Sequence, residues 1–451
     1  MLKKLFKLCS STKTKDTLPS HKTLHSQDYE LDHSQLSSNA ISIVKRLQEA
    51  NFQAYLVGGC VRDIILQIKP KDFDVATNAT PEQVRGLFRN ARTIGRRFKL
   101  VHIFFGREII EVATFRSHHN TSGSNDKEFS NSKGRILDDN VYGTLSDDAQ
   151  RRDFSINSLY YDPIHKLLID ESNGLKDIKK KTIRLIGEPC QRYKEDPVRM
   201  LRAIRFAAKL DFNIEHKSLE PIHNLSPLLE GIPASRLFDE TLKLLLSGQA
   251  VKTYDLLVQH NILNQLLPTV NFDDNKTKLL INNTLVNTDD RIHQGKHITP
   301  AFLFAALLWP NLIKTRNKLQ NSGMTPIQAT QVAARETINA QCRRTSIPKR
   351  FSIPMQEIWI LQERLTRRRG KRADILLANP RFRAAYDFLL LRESTGEQTK
   401  NLGNWWTLYQ EANDSERRNM VSSLSFSSPK AKRNHRSRHK KKITTTDNIS
   451  S

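Results

Sequence analysis

The sequence is short of cysteine, of long apolar runs and of acid relative to base, and each shortage removes a class of protein. Its four cysteines, Cys9, Cys60, Cys190 and Cys342, are scattered, with no Cys-x-x-Cys pair and no clustered histidines. That spacing speaks against a disulfide framework and a zinc site, and it fits a reducing cytosol. The longest apolar run, residues 301–309, is about half of what a membrane-spanning helix needs. Residues 1–10 hold only a broken apolar stretch before charge resumes, so no stable membrane insertion is expected and the reading is a soluble, cytoplasmic protein. Against 72 Lys and Arg stand 47 Asp and Glu, a formal net charge of +25. Such an imbalance implies an anionic partner, nucleic acid first. At 451 residues the chain has room for two or three domains with cores of their own.

What is present centres on Leu56-Val57-Gly58-Gly59-Cys60-Val61-Arg62-Asp63, followed by Lys71-Asp72-Phe73-Asp74-Val75-Ala76-Thr77. Tyr55 to Val57 reads as the end of a buried strand and the glycines as a tight turn. Residues 61–67 read as a helix with Ile64, Ile65 and Ile68 inward. Without Cβ atoms at the turn, backbone can approach a phosphate closely, and the first amides of the helix point at it. Asp72 and Asp74 are two apart in a strand-like run, so both carboxylates project from one face. Two such carboxylates repel unless a cation bridges them, and Mg²⁺ suits carboxylate plus triphosphate. A lone Gly-Gly is usually a turn and a lone Asp-x-Asp a solvated edge; packing alone hardly explains both within about twenty residues.

Around this centre, residues 1–33 lack any period and are read as disordered. Ala40, Ile41, Val44 and Leu47 recur at helical spacing, giving a helix that packs the strand ending at Val57. Thr80-Pro81 is an N-cap and first-turn proline for a helix through Phe88. Residues 101–105 and 107–115 read as a hairpin about Gly106, with Ile109, Glu111 and Ala113 on one face. Glu111 is therefore either a third acid near the aspartates or an ordinary solvated or Arg-paired strand glutamate. Residues 117–142 form a polar loop. In Arg151-Arg152-Asp153-Phe154-Ser155-Ile156-Asn157, the arginines form a surface ion-pair group or grip a triphosphate while Asp153 and Asn157 contact ribose or metal. The upstream motif favours the second.

From Arg192 to Leu210 one helical run is predicted, with Asp196 as N-cap and Val198, Leu201, Ile204 and Ala208 inward. Arg199, Arg202 and Arg205 recur every three residues, as a solvated stripe or as donors for a base edge and phosphates. Beyond Lys217 the chain reads as all-helical, with Pro310 breaking a helix. His293 beside Asp289 and Asp290 has no further ligands at fixed spacing and makes no phosphohydrolase site. Arg367-Arg368-Arg369-Gly370-Lys371-Arg372 joins two apolar helices, with residues 384–390 packed behind, and is a candidate RNA backbone contact. Order should fade beyond Ser422. Between Lys430 and Lys442 stand eight Lys or Arg and no acid, a tail that binds phosphates without reading sequence.

Together the glycine turn and paired aspartates resemble the nucleotidyltransferase signature of the superfamily holding CCA-adding enzymes and bacterial poly(A) polymerases. The resemblance runs from about Ala40 to Trp406. Ile94-Gly95-Arg96-Arg97-Phe98-Lys99-Leu100-Val101-His102-Ile103 looks like the stretch that marks the bacterial poly(A) polymerase branch, although Thr93 departs from the branched aliphatic expected before it. The resemblance implies an α/β, polymerase-β-like nucleotidyltransferase head, an all-α remainder and disordered basic tails. Its boundaries would be 1–33 disordered, 34–182 head, 183–270 helical neck, 271–420 body and C-terminal RNA-binding region, and 421–451 tail. It implies untemplated addition of AMP from ATP to RNA 3′ ends by two-metal chemistry with Mg²⁺, in RNA turnover, with RNA-degradation or helicase proteins as partners. Residue by residue, Asp72 and Asp74 would hold the metals and Asp153 would count with the catalytic carboxylates. Gly58, Gly59 and Arg62 would attend the triphosphate. Arg152, Asn157, Asp196, Arg199 and Arg202 would shape the nucleotide pocket, and Arg367, Arg368, Arg369, Lys371 and Arg372 would meet RNA. The alternatives are a CCA-adding tRNA nucleotidyltransferase and an inactive RNA-binding adaptor on the same fold.

Overall fold

Eight strands carry the N-terminal half of the computed structural model, which describes residues 23–25, 29, 31–95, 99–117 and 141–426. They are β1 (Thr23–His25), β2 (Ala54–Val57), β3 (Asp74–Thr77), β4 (Ala91–Ile94), β5 (Leu100–Phe105), β6 (Glu108–Thr114), β7 (Leu159–Asp162) and β8 (Leu167–Asp170). Among the described residues they form one mixed sheet in the order β1-β8-β7-β2-β3-β6-β5-β4. β3 and β6 run parallel while β2 is antiparallel to β3 and β7. That register sets Val57 opposite Asp74, and Asp74 opposite Glu111. The glycine turn after β2 thus opens beside Asp74, the first residue of β3. On its other side Val57 faces Tyr160 of β7, and Val57, Ala76, Phe115, Leu145, Ala149 and Tyr160 form one buried cluster beneath the turn.

Gly58 takes φ 78° and ψ −125°, a conformation that a Cβ would strain. The helix Gly59–Ile65 leaves it. Ile64 is buried as expected, but Ile68 is 40% exposed. The helix ends before it: Gln67 has φ 58°, and the Ile68 amide donates to Asp63 O at 2.8 Å, which turns the chain outward. The helix Ser38–Glu49 buries Ala40, Ile43, Val44 and Leu47, so Ile43 replaces Ile41 on the inward stripe because 40, 43, 44 and 47 share one face. Thr80 and Gln83 close a capping box over Pro81–Leu87. The segment expected to be without order up to residue 33 contributes β1, whose Thr23 to His25 pair with Ile169 to Leu167.

The remainder is helical apart from a short parallel pair of two-residue strands, Thr182–Ile183 and Asn213–Ile214. The run from Arg192 is two helices, Pro189–Glu195 and Val198–Leu210. They part at Asp196, whose φ −144° and ψ 94° are extended, as the residue before a proline prefers. Pro310 lies in the first turn of Trp309–Asn321, where its missing N–H costs nothing. The chain divides into two compact units, Met1–Gln356 and Glu357–Ser451. In the second, Leu361, Leu365, Ala373, Ala385, Tyr386, Leu389, Trp406 and Tyr409 belong to one core, so residues 384–390 do pack behind the arginine-rich loop. The helix Asp414–Phe426 continues past Ser422, where order was expected to fade. Among the described residues no helix is long and apolar enough to cross a membrane.

Candidate active site

The C-terminal end of β2 at Gly58 gathers most of the residues singled out in the sequence. Asp72 and Asp74 are exposed while Phe73 and Val75 between and after them are buried, although only Asp74 lies within β3. Asp74 keeps a solvent-open edge in a recess of the protein. Burial, and then the Glu111 charge, push its carboxyl up to about 6, with Asp72 adding to the rise and Arg152 and His102 opposing it. Glu111 is thereby placed against the aspartates. Its carboxylate is also 3.4 Å from His102 Nε2.

Arg152 lies on the other side of the turn. A Cβ on Gly58 would come within 3.3 Å of its Nη1, so glycine there leaves room for the guanidinium as well as for the backbone conformation. Arg152 donates to Asp148 Oδ2 at 3.1 and 3.2 Å and to Tyr160 Oη at 2.9 Å, and it lies over the Tyr160 ring. No role was read for Asp148 or Tyr160 in the sequence; the four-residue spacing of Asp148 and Arg152 was a usable signal.

Asp153 turns elsewhere. It accepts from the Phe154 amide at 2.8 Å, Asn157 Nδ2 at 3.1 Å and Arg202 Nε at 2.6 Å. Burial alone would raise its carboxyl, but the Arg202 charge and these hydrogen bonds prevail and hold it at about 2. Asn157 accepts in turn from Arg62 Nη1 at 2.5 Å. Arg62 is 3% exposed and spends its other donors on Asp63. Its guanidinium is therefore built into the floor of the site rather than projecting from it.

The arginine stripe on Val198–Leu210 is paired, not solvated. Arg199 donates to Glu195 Oε2 at 3.0 Å and to Arg192 O at 2.7 Å. Arg202 meets Asp153, and Arg205 lies 3.7 Å from Glu240. Asp196 accepts from the Val198 amide and from Arg236 Nη2 at 2.7 Å. Arg192, 5% exposed, donates to the carbonyls of Arg151 and Arg152 at 2.6 and 2.8 Å and to Glu195 at 2.8 Å. It ties the Arg151-Arg152 stretch to the helix Pro189–Glu195. Arg236 and Glu240 left no local signal, since their partners Asp196 and Arg205 lie several elements back in the chain.

Asp289 caps the amides of Ala250 and Val251. In the second unit Arg367, Arg369, Lys371 and Arg372 are exposed and Arg368 is half-buried. The Arg96-Arg97-Phe98 centre of the branch-marking stretch, most of the 117–142 loop and the basic run of residues 430–442 lie outside the described residues.

Three family models match the chain: the poly A polymerase head domain over residues 54–184, a probable RNA and SrmB-binding site of polymerase A over 211–273, and the polymerase A arginine-rich C-terminus over 322–441. The chain is 47% identical over 408 residues to poly(A) polymerase I of Escherichia coli O6:H1, covering 88% of each chain. It is 44% identical over 424 residues to poly(A) polymerase I of Haemophilus influenzae, covering 92% of this chain and 94% of that one. Among solved structures it resembles a CCA-adding enzyme in an apo form, with TM-score 0.59, 20% identity and 86% of each chain covered.

Proposed function

The chain belongs to the poly(A) polymerase family, and we propose how its site adds AMP from ATP to RNA 3′ ends without a template. The observation that carries the assignment of residues is the register that seats Asp74 between the glycine turn and Glu111. A carboxylate whose proton affinity is raised by burial and by neighbouring acids, as that of Asp74 is, is equally ready for a cation. The donor set is all oxygen and partly solvent-open, which suits Mg²⁺. Among the described residues no group of three or more His, Cys, Asp or Glu could hold an ion alone, so the remaining ligands fall to ATP and water. Asp72 and Asp74 would hold the ions. When bound, Mg²⁺ lowers the pKa of the RNA 3′ hydroxyl and stabilises the pyrophosphate leaving the α-phosphate.

The protein's own groups do the positioning. The backbone at Gly58 and Gly59, with Arg152 beside it, takes the triphosphate. Asp153, held near 2, stays ionised at neutral pH and is too weak a base to take the hydroxyl proton. Its part is to orient Arg202 and Asn157, and Arg62 acts through Asn157. Asp196 and Arg199 offer an acceptor and a donor to the adenine edge. Arg236, Glu195 and Arg192 fix them, which gives a pocket of one size. The 211–273 helices and the arginine-rich loop take RNA, and a helicase or ribonuclease is the protein partner we assign. A single-stranded tail offers a degrading enzyme an unstructured 3′ foothold, so the process is RNA turnover. A cytosolic setting rests on the free thiols of Cys60 and Cys342.

The test supplies ATP and CTP separately with an unstructured RNA. Long runs of AMP and much poorer CMP incorporation are expected. Efficient CMP addition to tRNA lacking its end, followed by one AMP and arrest, would overturn the reading in favour of a CCA-adding enzyme. No addition of either nucleotide would leave an RNA-binding adaptor.

A further inference from the structure

In the second unit two arginines close the ends of one aromatic stack, and they are not in the same state. Trp405 and Tyr409 lie nearly parallel, with ring centroids 4.7 Å apart and an interplanar angle of 15°. The Arg368 guanidinium lies over Trp405 at 4.7 Å, and Arg417 over Tyr409 at 5.5 Å. Arg417 is satisfied: its Nε donates to Tyr409 O at 3.0 Å and its Nη2 to Gln410 O at 3.1 Å. Arg368 is not. Its Nε is buried and, among the described residues, has no hydrogen-bond partner. Burial alone acts on this guanidinium, with no acid compensating. A cation withdrawn from water without an acceptor is costly, and the aromatic stack holds it in one orientation. Around it, Arg367, Arg369, Lys371 and Arg372 are exposed, and Arg369 anchors the loop by donating to Leu424 O at 3.1 Å.

We propose that Arg368, held on Trp405, is a preformed seat for one phosphodiester of single-stranded RNA, while Arg367, Lys371 and Arg372 supply only diffuse attraction. Stacking occupies the face of the guanidinium and Nε is buried, which leaves the in-plane Nη donors for a phosphate, a pair that lysine cannot copy. Arg367, Lys371 and Arg372 are exposed, so their side chains reorient and their charge rather than a fixed fork attracts the strand, and there lysine can stand for arginine. The inference rests on the reading of this loop as an RNA contact and specifies which residue in it fixes the strand.

The experiment measures binding of a fluorescent oligoadenylate to the full chain across a salt series. Four variants are compared with wild type: Arg368→Lys, Trp405→Leu, Arg367→Lys and the triple Arg367→Gln/Lys371→Gln/Arg372→Gln. Arg368→Lys keeps the charge, so the seat predicts about a tenfold weaker affinity with an unchanged slope of log K against log salt. Trp405→Leu should reproduce that loss, and Arg367→Lys should bind as wild type. The triple variant should bind more weakly with a flatter slope. All are read below their measured unfolding midpoints. Wild-type affinity in Arg368→Lys alongside a weakened triple variant would overturn the seat and leave the loop reading standing. Wild-type affinity in the triple variant would remove the loop reading itself. Binding of inorganic phosphate or ATP that Arg368→Lys abolishes, with RNA affinity unchanged, would assign the seat to a free anion and overturn the RNA proposal.

Discussion

Replacing Glu111 by glutamine isolates the electrostatics of the carboxylates around Asp74. Asp74 stands at about 6 instead of 3.8 because of burial first and the Glu111 charge second. A protonated carboxyl cannot take a cation, so divalent-ion binding to the nucleotide-free protein should fall by up to about tenfold per pH unit below the pKa of Asp74. Glu111 neighbours Asp74 on adjacent parallel strands, which places two unit charges about 5 Å apart. At that distance, in a solvent-open recess with near-aqueous screening, they interact by about 1 kcal/mol, or roughly 0.7 pH unit. Glu111→Gln should therefore move the acid limb of binding down by about that amount, toward 3.8 and never upward. Calorimetric titration of Mn²⁺ between pH 5 and 8 measures it without turnover. The plateau above the limb separates a second question: unchanged affinity there makes Glu111 a neighbour that only repels, and lower affinity makes it a ligand as well. A limb that stays in place, or moves to higher pH, would refute the argument that Glu111 raises Asp74.

Asp72→Ala and Asp74→Ala should each abolish AMP addition while leaving RNA affinity and unfolding midpoint close to wild type, and near wild-type extension by either variant would sink the two-metal reading. Asp153→Asn should lower the thermal midpoint at pH 7. The folded pKa of Asp153 is depressed from 3.8 to about 2, so its contribution of roughly 2 kcal/mol is present above about pH 4 and lost as pH falls toward 2. The difference from wild type should close over that interval, and a difference independent of pH would disprove the linkage. Truncation after Phe426 removes the eight Lys and Arg between residues 430 and 442 and should cut the salt slope of RNA binding by several units with nucleotide preference unchanged; an unaltered slope would give the tail another partner.

The parts of the site that were legible are those whose cause is local. Gly58 was readable because a strand running into a helix through two glycines requires a conformation that other residues resist. Thr80-Pro81 was readable because capping acts within one turn. The neighbourhood of Asp74 and Glu111 was readable only as a shared face: a period of two assigns the face, whereas the register linking β3 to β6 is set across more than thirty residues. The strand Thr23–His25 gave no sign because three residues carry no period of their own, and its order comes from pairing with β8. The break at Asp196 could have been read, since Pro197 disfavours a helical residue before it; the apolar spacing on both sides concealed it.

The arginines mark the limit more sharply. Their spacing located them on one helix, and their partners came from elsewhere in the chain: Asp153 for Arg202, Glu240 for Arg205, and Arg236 for the adjoining Asp196. A half-buried guanidinium without a counter-charge is unstable, so the sequence implied that acceptors existed without saying which. Pairing also changes what each arginine can do. Arg202 already gives two donors to Asp153, so in the proposed site Asp153 would set what Arg202 can offer a nucleotide, and the two would act as a unit. Arg199 is held by Glu195, four residues earlier and across the break at Asp196, which makes its position a property of how the two helices join. The chemistry-bearing side chains of this site therefore act as fixed pairs, and the rigidity that a template-free selection of adenine demands resides in the carboxylates as much as in the arginines they hold.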